Sequence, residues 1–160
     1  LTDNSSNMGG HPQTAPQLVL AALVFDGVLE RHPKLTLIVE EVGASWLPHL
    51  LELLDDGVGR GARVALNSGE FRPDFAGSAY TLPLSPSEYL RRQVRVTPLV
   101  ATQPLHPTLE LAPEMLCFSS DYPHVEGTAD AKAVCDRQLQ DTSEEVRRAF
   151  YGGVGEMIGL

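Results

Sequence analysis

Apolar positions along this chain follow two periods. From position 15 to 31, Leu18, Ala21, Ala22, Phe25, Val28 and Leu29 recur at helical spacing, and Pro33 marks the end of that helix. The run LTLIVEE at 35–41 is apolar and β-rich until two terminal carboxylates, which predicts a buried strand. Gly43 turns the chain. Trp46, Leu47, Leu50, Leu51 and Leu54 then predict a helix over 45–56, closed by Gly57, Gly59 and Gly61. Residues 62–84 show no period, carry Pro and Gly, and read as a long irregular connection.

The second half is punctuated more sharply. Ser85, Pro86 and Glu88 form a helix start with a capping box, and the helix is expected to run to about position 93. The alternating VRVTPLV, 94–100, predicts a strand, and 107–112 a short helix stopped by Pro113. MLCFSS, 115–120, reads as the third strand. Helices are expected over 129–139 and, from a second capping box at Thr142 and Glu145, over 142–151, with a last turn at 154–158 beyond Gly152 and Gly153. Strands alternating with helices predict an α/β fold with parallel strands and right-handed crossovers.

Composition narrows the partners. The 160 residues suit one domain, and 42% apolar content supports a packed core. A net charge of −9 argues against nucleic acid and against anionic membrane surfaces as partners. No apolar run reaches the roughly 18 residues of a membrane span, and no signal peptide is visible. Cys117 and Cys135 lack metal-type spacing and read as two reduced thiols of a cytoplasmic protein.

Sites in parallel α/β folds form at the C-terminal ends of strands. The expected ends here are Glu40-Glu41, the stretch from Thr97 towards His106, and Ser119-Ser120-Asp121-Tyr122-Pro123-His124. Asp121 is the leading candidate: a carboxylate there can hold a divalent cation or take a proton from bound water. The plainer alternative is a cap on the following turn. Glu41 is a candidate acid or base. Neighbours on a strand point to opposite faces, so at most one of Glu40 and Glu41 would face inward. His124 is a candidate for a substrate carboxylate or a metal, against the plainer reading of an exposed loop histidine. His11, His32 and His106 are weaker, being loop or helix-end residues, and His49 lies on a helix whose apolar face is already occupied. The chain has no His-x-His, His-Glu-x-x-His or Cys-x-x-Cys motif, no glycine-rich phosphate loop and no nucleophile elbow.

These residues carry a resemblance. GVLERHPKLTLIVEEVGASWLPHLLELLD, 27–55, resembles a segment of the amidohydrolase-related family, in the branch of the aminocarboxymuconate-semialdehyde decarboxylase-like enzymes. SPSEYLRRQVRVTPLVA is similar to that family's helix and seventh strand. MLCFSSDYPHVEG is similar to its eighth strand, and TSEEVRRAFYGGVGEMIGL to its C-terminal helix. The resemblance implies a partial (β/α)8 TIM barrel, the units around strands 6 to 8, with residues 1–160 forming the C-terminal portion of the barrel domain. It implies one divalent metal, zinc or manganese, with Asp121 as ligand and proton acceptor. Glu41 falls where decarboxylase members carry a histidine. His124 and Tyr122 fall in the loop after strand 8 and are assigned to substrate binding. The family's His-x-His and strand-five histidine have no counterpart here, its usual C-terminal Asn is Gly153, and a usual Arg is Glu156.

The resulting expectation is a metal-dependent hydrolase acting on a small molecule, truncated in this chain, with a homodimer as the expected assembly. The alternatives are a non-oxidative decarboxylase of the same family and an inactive α/β module.

Overall fold

The computed structural model describes residues 13–68 and 82–158. His11 and positions 69–81 of the expected irregular connection lie outside them. The described residues fall into two compact units, 13–33 with 50–68 and 82–90, and 34–49 with 91–158.

The first unit opens with α1, Thr14–Phe25, and α2, Val28–Arg31. One continuous helix was expected. Asp26 and Gly27 break it, with Gly27 at φ 67, a left-handed conformation that glycine adopts at little cost. Leu20, Val24 and Leu29 are buried. Helix α3, Leu47–Ser68, begins in the other unit and outruns its expected end. It continues through Gly57, Gly59 and Gly61, so 62–68 is helical rather than irregular. Isolated glycines cost a helix about 1 kcal/mol each without breaking it, and no proline intervenes. Helix α4, Pro86–Gln93, starts as its sequence dictates. The Ser85 N–H donates to Glu88 Oε2 (2.7 Å) and the Glu88 N–H to Ser85 Oγ (3.4 Å), which is the reciprocal capping box. Buried Tyr89 donates its hydroxyl to Glu30 at 2.7 Å.

The second unit carries the sheet. β1, Leu37–Val39, and β2, Val94–Val96, pair in parallel with Leu37 opposite Val94 and Val39 opposite Val96. Both are shorter than the runs at 35–41 and 94–100 suggested, because Glu40-Glu41 and Pro98 end the ladder. The expected third strand is reduced further. Pro113–Met115 forms a 3₁₀ turn, and Leu116 makes a single parallel bridge to Val96, extended by the Cys117 N–H donating to the Val96 carbonyl at 3.1 Å. The Phe118 N–H then turns away to the Phe150 carbonyl (2.8 Å). The parallel direction is as expected; the length is not.

Helix α5, His106–Leu111, α6, Ala131–Gln138, and α7, Glu144–Ile158, complete this unit. The cap of α7 sits one residue later than the sequence suggested. Ser143 Oγ accepts the Val146 N–H at 3.3 Å, while the Thr142 hydroxyl closes the end of α6 on the Leu139 carbonyl at 2.7 Å. The helix also runs unbroken through Gly152 and Gly153, absorbing the separate last turn. Val94, Val96, Leu116, Cys117, Cys135, Leu139 and Phe150 are buried. This is a mixed α/β fold with a small parallel sheet, consistent with a fragment of a barrel.

Candidate functional site

Because β1, β2 and the Leu116 bridge are parallel, the chain leaves all three at the same edge of the sheet. Glu40 and Glu41 follow β1, Thr97 follows β2, and Ser119 to Asp121 follow the bridge. Both Glu40 and Glu41 are exposed. The alternation that would let at most one of them face inward does not extend this far, because the strand ends at Val39 and Glu41 turns into the left-handed region at φ 62.

The loop after the third segment is closed on itself. The Thr128 N–H donates to the Ser120 carbonyl (3.1 Å), the His124 N–H to the Asp121 carbonyl (2.8 Å) and the Gly127 N–H to the His124 carbonyl (3.0 Å). Ser119 Oγ and Ser120 Oγ accept the N–H groups of Asp121 and Tyr122, each at 3.3 Å. A Cβ on Gly127 would lie 2.2 Å from the Asp121 carbonyl oxygen, so only glycine permits this closure.

The closure gathers three side chains. Asp121, His124 and Glu126 each place one potential ligand atom within 4.8 Å of the others. His124 Nδ1 is in contact with Glu126 Oε2, a pair that is ionic when the imidazole is protonated, and lies 3.6 Å from Asp121 Oδ2. The Asp121 side chain is only 16% exposed, and its Oδ2 is buried without a hydrogen-bond partner. A buried carboxylate oxygen left unpaired is costly, so it is normally occupied by a donor or a cation. Asp121 also has φ 51. Among the described residues, Asp121 and Glu41 are the two non-glycine residues in the left-handed region. Such conformations cost about 1–3 kcal/mol each and cluster where function requires them.

The structure thus brings Asp121 and His124 together. Glu41 is not part of the group, and Tyr122 is 64% exposed on the same loop. His32, His49 and His106 are exposed outside it; His106 pairs with Glu110 at 3.5 Å. Glu126 is the member sequence reasoning missed. Its spacing, Asp-x-x-His-x-Glu, was in view, but it gathers ligands only once the loop folds back on Gly127.

Beside the site, Cys117 is buried and its thiol is pushed up to about 11, by burial first; the Arg95 guanidinium opposes this, and the Glu40 carboxylate adds a smaller push in the same direction as burial. Cys135 on α6 is also pushed up to about 11, mainly by burial. Both cysteines are free.

The amidohydrolase family profile matches residues 8–153. A solved amidohydrolase from Mycobacterium avium subsp. paratuberculosis K-10 superposes with a TM-score of 0.67 at 23% identity, over 89% of this chain. The match covers 33% of that protein, so the chain spans about a third of its length. No curated protein matches the sequence. The profile match extends from before α1 into α7 and takes in the whole Asp121 loop, and on that match the chain belongs to the amidohydrolase family.

Proposed function

We propose that this chain is the C-terminal portion of a metal-dependent hydrolase of the aminocarboxymuconate-semialdehyde decarboxylase-like branch, contributing the units around barrel strands 6 to 8. Asp121 is the metal ligand it supplies. The observation that carries the reading is the buried, unpartnered Asp121 Oδ2 beside His124 and Glu126. A carboxylate oxygen of that kind fits a divalent cation such as zinc or manganese. Such an ion, when bound, acidifies water and polarises a carbonyl.

The chain's own residues do the rest. Asp121 holds a proton taken from water at its carboxylate, and the loop closure keeps that carboxylate shielded. His124 and Tyr122 orient the small-molecule substrate from the same loop. Glu41, at the same sheet edge, is the second acid or base. Glutamate at that position also favours hydrolysis over decarboxylation, since the decarboxylases that the sequence resembles carry histidine there. The same proposal includes a cytoplasmic location, in keeping with two free thiols, and a homodimeric assembly, which light scattering decides.

Metal analysis of the purified chain tests the core of the reading. The expected result is chelator-sensitive zinc or manganese that Asp121→Ala abolishes while circular dichroism is unchanged. A folded chain that takes up neither metal supports the inactive module instead. In the longer parent, Asp121→Ala should reduce turnover to background, and retained turnover removes the role assigned to it.

A further inference from the structure

Glu126 has no role in the scheme above. Its partner, His124 Nδ1, carries at most one proton and donates it in one direction. Two carboxylates compete for that nitrogen. Glu126 Oε2 is the nearer, and Asp121 Oδ2 stays at 3.6 Å, beyond hydrogen-bond reach. The His124 backbone is fixed, because its N–H donates to the Asp121 carbonyl at 2.8 Å. Side-chain rotation therefore decides how close the ring comes to Asp121.

We propose that Glu126 is a positioning residue: it draws the His124 imidazole away from Asp121 and so keeps Asp121 Oδ2 open to a cation. This rests on the metal-site reading above. Without Glu126, the unpaired Oδ2 is the acceptor remaining beside Nδ1 in this group, and a buried acceptor gains by being paired. The lone pairs that the imidazole would occupy are those a cation needs. His124 is 58% exposed and Glu126 46%, so their ion pair contributes little to stability. What it sets is which carboxylate the imidazole takes.

Crystal structures of the wild type and Glu126→Ala, with Zn²⁺ titrations of both, test this. In Glu126→Ala the His124 Nδ1 to Asp121 Oδ2 separation should close to about 3 Å, a normal hydrogen bond. An unchanged separation overturns the proposal. Zinc should bind Glu126→Ala more weakly by up to about fivefold, the scale of an exposed ion pair. Glu126→Gln, which keeps an acceptor without the charge, should recover part of that loss. In a His124→Ala background, removing Glu126 should cost nothing further. Equal losses in both backgrounds would mean a plain charge effect, and a tenfold loss from His124→Ala alone would make His124 a ligand; either overturns the proposal. If the wild type takes up no zinc, the metal reading falls, and the Nδ1–Oδ2 separation alone decides the role of Glu126.

Discussion

Glu41 and Asp121 share a backbone state that L-residues avoid. A left-handed conformation costs a residue with a Cβ roughly 1–2 kcal/mol, although aspartate tolerates it better than glutamate. Glu41 is exposed and has φ 62. Glu41→Gly removes the steric cost and gives back part of it in chain entropy. The variant should be more stable by about 0.5–1 kcal/mol in urea denaturation, the difference of those two effects. A loss of stability would show that the Glu41 side chain contributes contacts of its own. Neither conformation was legible in the sequence. Asp121 stood out because a carboxylate followed an apolar run. Glu126 did not, because its neighbours are set by a fold-back of the loop and not by any helical or strand period.

At the scale of the element, the 120–128 loop is a single closed device. Its ends are joined by the Thr128 to Ser120 hydrogen bond, and Gly127 rests on the backbone of Asp121. Gly127→Ala forces a Cβ against a carbonyl that has no flexible end to yield. The expected cost is about 1–3 kcal/mol, the range for overpacking, together with loss of zinc binding. Unchanged stability would mean the loop opens easily. Element types were largely legible: helical periods gave α1 and α3, the Ser85–Glu88 box gave the start of α4, and α6 and α7 lie close to the helices expected over 129–139 and 142–151. Lengths were less so. Glycines at 57, 59, 61, 152 and 153 signalled ends that the helices passed through, since a glycine weakens a helix without removing a hydrogen bond. The third strand was over-read because Met115 to Phe118 is apolar for burial, whereas a ladder needs a neighbour along its whole length, and only Val96 reaches it.

At the scale of the whole chain, alkaline pH acts on buried thiols. Cys117 and Cys135 are both buried, and burial disfavours their thiolates, raising each from an ordinary value near 9.0 to about 11. In the unfolded chain the thiols ionise first, near pH 9; in the folded chain they stay neutral until about pH 11. The neutral thiol therefore contributes stability that is complete below pH 9 and is lost as pH rises towards 11. Tyr151 moves in the same direction, through burial and the hydroxyl it donates to Asp136 at 2.9 Å, and extends the loss to still higher pH. Urea midpoints should thus be flat from pH 7 to 9 and fall between pH 9 and 11. Replacing both cysteines by alanine should lower the plateau, by the packing lost, and make the fall shallower. A fall of undiminished steepness in that double variant would assign the alkaline loss to the tyrosine and to the repulsion of a chain already at −9, and not to the thiols.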